Sequence, residues 1–229
     1  MSKTSKNILG DQRGKIGKVV GRVVEGEQMY SAAPGPRGSE GSAKQKEHRA
    51  RFAAITTMGK PLKGAIRIGF KKAASSKHLQ SSFNLFVNRN FKHTIYDPVT
   101  GTATPTYADI VLAEGQVPFV NYATPSFETH LQISIGFTGN DNYPGAFDDD
   151  TVYAIAYCPD LAQSAMGIAA RSAETLTITV PTPWEGKTVY LWGFTLTSVE
   201  EKLEVEGFGF DLMPGCCSVS TYIGSGTVA

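Results

Sequence analysis

A chain of 229 residues, 41% of them hydrophobic, can bury a real core, and three cysteines do not make a disulfide framework. No run approaches the roughly 20 apolar residues of a membrane span, and the N-terminal ten residues lack the apolar stretch of a secretory signal, so no span and no signal peptide are expected. The net charge of +1 conceals a split: residues 1–80 carry 17 Lys/Arg against five Asp/Glu, and residues 81–229 carry five against 16. Such asymmetry suits a basic segment that meets nucleic acid, an anionic surface or the acidic half of a neighbouring copy.

The first element is GKIGKVVGRVV at 14–24, which repeats a glycine, a cation and β-branched residues. Its glycines at 14, 17 and 21 fit neither G-x-x-x-x-G-K-[ST] nor G-x-G-x-x-G, which argues against a phosphate cradle. β-Branched residues favour pleated backbone, and Gly17, Gly21 and Gly26 can supply bends, bulges or the close approach of another backbone. A β-ribbon is therefore predicted. Pro34, Gly35, Pro36, Gly38 and Gly41 then exclude regular structure, so residues 1–41 read as a ribbon followed by an extended arm.

Ser42-Ala43-Lys44-Gln45 has the S-x-x-Q form of a capping box and predicts a helix start. Phe52, Ile55, Met58 and Leu62 recur at helical steps and read as one buried face. Gly59 and Pro61 should break that helix, Leu62, Ile66 and Phe70 continue a second apolar stripe, and a third short helix is predicted around Phe83, Leu85, Phe86 and Phe91. Residues 42–95 thus form a helical segment.

From Tyr96 onward, turn residues separate alternating runs at 110–112, 130–135, 151–157, 174–180, 188–194 and 218–223. Short alternating strands of this kind describe an antiparallel sandwich of immunoglobulin or fibronectin type over 96–229. Leu176, Ile178 and Val180 should face one way and Thr175, Thr177 and Thr179 the other. The fold class is α+β, mainly β: N-terminal ribbon and linker, short helical segment, C-terminal β-sandwich.

Chemistry-bearing motifs are few. His48, His78, His93 and His130 are dispersed, and no G-x-S-x-G elbow occurs. The Asn/Asp-rich loop at 140–150 departs from the EF-hand pattern and reads as a solvated turn. Trp184, Trp192, Tyr143, Tyr153 and Tyr190 could form a sugar-binding platform if they lay exposed together, although aromatics of sandwich strands are usually core. Cys158, Cys216 and Cys217 read as reduced thiols, because a trans neighbour at 3.8 Å is too close for ordinary disulfide geometry.

The GKIGKVVG segment, the stretch Pro61-Leu62 with Ile66-Arg67-Ile68-Gly69-Phe70-Lys71, the strand Thr188–Phe194 and the closing Tyr222-Ile223-Gly224 resemble uncharacterised proteins of Bacteroidota and their phages, grouped as a domain of unknown function. The resemblance implies no catalytic residues and suggests a structural role. The resulting expectation is a non-enzymatic, self-assembling protein of a virion or filament, made in the cytoplasm, with homo-oligomeric and other particle proteins as partners. It would use Lys15, Ile16, Lys18, Val19, Val20, Arg22 and Val23 for assembly, with no metal or cofactor. The alternative is nucleic-acid binding through Arg13, Lys15, Lys18, Arg22, Lys44, Lys46, Arg49 and Arg51, and a third is a carbohydrate-binding surface module.

Overall fold

The computed structural model describes residues 2–4, 12–24, 27–35, 41–75, 81–139, 143–201, 203–205 and 210–229. They fall into two compact units, Met1–Ser42 and Ala43–Ala229.

In the first unit the predicted ribbon is wider than two strands. Strands β1 (Ser2–Thr4), β2 (Gly14–Ile16), β3 (Val19–Val24) and β4 (Glu27–Ala32) form an antiparallel sheet in the order β1-β4-β3-β2. Gly17 and Lys18 make the β2–β3 turn, with Gly17 at φ 62, a left-handed conformation that glycine adopts without steric penalty. Gly26, Pro36 and Gly38 lie outside the described residues.

In the second unit, helices α1 (Ala43–Gly59), α2 (Lys63–Gly69), α3 (Lys71–Ser75) and α4 (Ser82–Asn90) come first. The break at Gly59 and Pro61 falls where the sequence places it. Gly59 also lets α1 approach α4, since a Cβ there would stand 2.7 Å from the Phe86 ring and 2.9 Å from that of Phe83. The α4 N-cap is Ser81, whose Oγ accepts the Asn84 amide at 3.1 Å. A hairpin of β5 (Thr94–Asp97) and β6 (Thr102–Pro105) follows.

The remaining strands are β7 (Asn121–Tyr122), β8 (Gln132–Thr138), β9 (Thr151–Cys158), β10 (Gln163–Ala170), β11 (Thr175–Thr179), β12 (Thr188–Leu196), β13 (Leu203–Val205), β14 (Phe210–Leu212) and β15 (Thr221–Thr227). They build a four-stranded sheet, β10-β9-β12-β15, and a three-stranded sheet, β11-β8-β7, both antiparallel, with β13 and β14 paired as a hairpin. Between the two larger sheets lie Ile133, Ile135, Leu176, Ile178, Trp184, Val152, Ala154 and Leu191. The predicted alternation of β11 holds: Leu176, Ile178 and Val180 are buried while the intervening threonines are exposed.

The four-stranded sheet is covered on its other face as well. Ile155, Tyr157, Trp192 and Phe194 point away from the three-stranded sheet and pack with Ile55, Leu62, Ile66, Phe70, Leu85 and Phe86 of the helical layer. A strand buried on both faces reads as a nearly continuous apolar run, which explains why Tyr190–Phe194 lacks polar interruptions.

Three details differ from the sequence reading. Phe52 is 49% exposed, so the buried face of α1 is carried by Ile55 and Met58 without it. Ile110-Val111-Leu112 is not a strand. The Asn90 side chain accepts the Val111 N–H at 2.7 Å and donates to its carbonyl at 2.8 Å, while Ser220 Oγ accepts the Leu112 N–H, so side chains replace a neighbouring strand. Asp150, placed in a solvated turn by the sequence, is fully buried. It pairs with Arg171 at 3.0 Å and accepts the backbone amides of Phe147 and Ser198.

Candidate functional site

The seven residues expected to serve assembly all lie in the first unit, and the β-register sorts them by face. Ile16 stands opposite Val19, and Gly21 opposite Tyr30; these positions share one face with Val23 and Ala32. Lys15 stands opposite Val20, and Arg22 opposite Met29, on the reverse face. Lys18 occupies the turn and Arg13 precedes β2, both exposed. One face therefore gathers Ile16, Val19 and Val23 beside Gln28 and Tyr30, and the reverse face carries the exposed cations Lys15 and Arg22 beside Val20 and Met29.

Gln12 sits over the face of Ile16, Val19 and Val23. Its N–H donates to Gln28 Oε1 at 2.8 Å, Gln28 Nε2 donates to its carbonyl at 2.7 Å, and the Tyr30 hydroxyl donates to its side chain at 3.0 Å. A side chain at position 21 would collide with that carbonyl, so Gly21 serves the close backbone approach its sequence context suggested. Among the described residues of this unit only Gly21 and Gln28 are buried, and neither contributes an apolar side chain to a core. Ile16 is 53% and Val19 40% exposed.

The other expected phosphate contacts lie on α1 in the second unit. Lys44, Lys46 and Arg49 are exposed. Arg51 is a brace: it pairs with Glu47 at 2.8 Å and donates to the carbonyl and hydroxyl of Thr94, tying α1 to β5. Further cations lie beyond α1, on residues not singled out by their motif context. Over residues 43–95 the chain holds twelve Lys/Arg and one carboxylate, Glu47, a bias visible in the sequence and spread over all the helices.

The aromatic residues do not assemble into an exposed platform. Trp184 and Trp192 are fully buried, with their indole N–H groups bonded to Gln163 and to the Tyr107 carbonyl. Tyr190 stacks on Tyr107 with centroids 3.9 Å apart, and burial, reinforced by neighbouring Tyr157, pushes the Tyr107 phenol up to about 12. Tyr107 and Tyr157 border a cavity of about 430 Å³ walled by Ala50, Ala53 and Ala54 of α1.

All three cysteines are free thiols. Cys217 is buried, donates to the Gly69 carbonyl at 2.9 Å, and is pushed up to about 12 chiefly by desolvation, the opposite of an activated nucleophile. Among the described residues, no group of three His, Cys, Asp or Glu side chains converges as a metal site, and no helix is long and apolar enough to cross a membrane.

Residues 11–201 match the family of unknown function DUF6266, most of the chain. The chain belongs to DUF6266. The match starts just before β2 and runs to the end of the segment that follows β12, so the DUF6266 region takes in the two-faced strands β2 to β4, the helical layer and most of both larger sheets. No curated protein and no solved structure matches significantly.

Proposed function

We propose that this DUF6266 protein is a non-enzymatic structural component that self-assembles through its N-terminal sheet, as a virion or filament protein does. One observation supports the reading: a four-stranded sheet whose described residues bury no apolar side chain, yet which presents Ile16, Val19 and Val23 together on one face. A sheet needs an apolar face packed on something to be stable in water. The same face of a second copy supplies that cover, and the sheet-edge strand β2 adds main-chain pairing. Lys15 and Arg22 on the reverse face steer encounter with the acidic β-rich region of another copy, while burial and β-pairing hold the complex.

Multi-angle light scattering of the chain with and without residues 1–41 tests the reading. The intact chain should form a defined oligomer at micromolar concentration, and the truncated chain should be a folded monomer. Ile16→Asp with Val19→Asp should reproduce the truncation. An intact chain that stays monomeric would overturn the proposal.

A further inference from the structure

Helix α4 borders a run of three depressions in the second unit. The first is lined by Lys63, Arg67, Ser82 and Phe83. It shares Phe83 with a central cavity of about 550 Å³ bounded by Phe52, Asn84, Val87, Asn88 and Phe91. Asn88 and Phe91 in turn belong to the third, whose walls include Arg89, Lys92 and His93. The helix spacing produces this: Phe83, Val87 and Phe91 recur at steps of four along the flank of α4 next to buried Phe86 and Asn90, Phe83 and Val87 half-buried against the core, with exposed Asn84 and Asn88 beside them.

The floor is aromatic and the ends are cationic. Phe52 is 49% exposed at the edge of the central cavity, and the Phe91 and His48 ring centroids lie 4.6 Å apart. Lys63, Arg67 and Lys92 are exposed and make no ion pair among the described residues. Arg89 is occupied by Glu114, so that carboxylate is neutralised within the chain, and His93 lies 4.0 Å from Asp109. The exposed Asn84 and Asn88 carry amides that can pair with the edge of a base.

We infer that this groove binds single-stranded nucleic acid, bases stacking on Phe52, Phe83 and Phe91 and phosphates meeting Lys63 and Arg67 at one end and Lys92 at the other. Aromatic rings set in a groove with cations along the strand's path are the combination that holds a single strand without sequence preference. A duplex keeps its bases stacked inside and offers this floor nothing to cover it. The nine residues of α4 span roughly 13 Å, the length of about four stacked nucleotides. Binding here involves none of the first-unit cations, so it stands apart from assembly through the N-terminal sheet.

Fluorescence anisotropy with the full chain decides the matter, using labelled oligothymidylate and oligouridylate of about a dozen nucleotides, a duplex of equal length and polyglutamate as probes. The single strands should bind more tightly than either the duplex or polyglutamate. Phe52→Ala, at a half-exposed position, should weaken single-strand binding ~5- to 100-fold with an unchanged melting temperature. Reversal of Lys63, Arg67 and Lys92 to Glu should flatten the slope of log affinity against log salt by about 2. Lys15→Glu with Arg22→Glu should leave it unchanged. Equal binding of duplex or polyglutamate, which would mark an acidic-peptide or generic polyanion surface, overturns the assignment, as does a Phe52→Ala variant that binds the single strand like the parent chain.

Discussion

The molecule holds two four-stranded antiparallel sheets of opposite character. β1-β4-β3-β2 buries only Gly21 and Gln28 among its described residues, whereas β10-β9-β12-β15 is covered on both faces, by a second sheet and by helices. Strand number and hydrogen-bond pattern are alike. The difference is what lies over the faces: one sheet has apolar side chains packed on both sides, and the other, among the described residues, buries none.

The sharpest way to test that contrast is to remove a ring from the covered sheet. Trp192→Ala, emptying a site with no exposed surface, should destabilise the second unit by about 3–5 kcal/mol in urea unfolding, while Val19→Ala in the first sheet should change the same transition by less than about 0.5 kcal/mol. A comparable loss from Val19→Ala in a monomer would erase the distinction.

Next in size is the buried ion pair that ties the loop before β9 to the segment after β10. Asp150→Ala strands the Arg171 guanidinium, whose Nε and Nη1 already have no partner among the described residues, and should cost about 3–5 kcal/mol. The double change Asp150→Leu with Arg171→Leu should recover most of that loss in thermal melts, because two well-packed apolar groups need no counterion. If the double variant is as unstable as Asp150→Ala, the hydrogen bonds from Phe147 and Ser198 matter more than the charge pairing.

A milder effect is expected from alkali, and it too belongs to the covered sheet's helix side. Cys217 and Tyr107 are each raised to about 12, from ordinary values of 9.0 and 10.0. A raised folded-state value means the neutral form is favoured by folding, so their contribution is intact below about pH 9 and is lost as pH rises from there toward 12. Stability measured across that window should fall, and Tyr107→Phe should flatten the fall. An unchanged slope would mean that the Tyr107 phenol is wetter than its stacking on Tyr190 implies.

Much of this was legible in the sequence, for identifiable reasons. Helical steps at Leu62, Ile66 and Phe70 and strict alternation at Leu176, Ile178 and Val180 each report one buried face, and both hold. Strand β10 escaped notice because Gln163–Ala170 is small and weakly patterned, with Met166 and Ile168 exposed on one side and Gly167 buried on the other. Gly167 is small because Leu176 and Ile178 of β11 press on it, a reason that lies in another strand. Likewise Asn90 looks like an ordinary helix-end residue until Val111 is seen to use it as a strand substitute. The basic helices were legible as charge, but the groove along α4 was not: Phe52 fits the helical period of a core residue, and only the packing leaves it half outside.

The bond from the Cys217 thiol to the Gly69 carbonyl joins positions 148 residues apart. On a ribosome adding ~5–20 residues per second, that carbonyl waits roughly 7–30 s for its partner. For most of the interval Leu62, Ile66 and Phe70 have emerged while β12 has not, and β15, which finishes the sheet beneath the helices, is absent throughout it. The newborn chain is therefore the form most open to holdase chaperones and to proteolysis, and slowing translation late in the message should lower the yield of folded protein more than slowing it early.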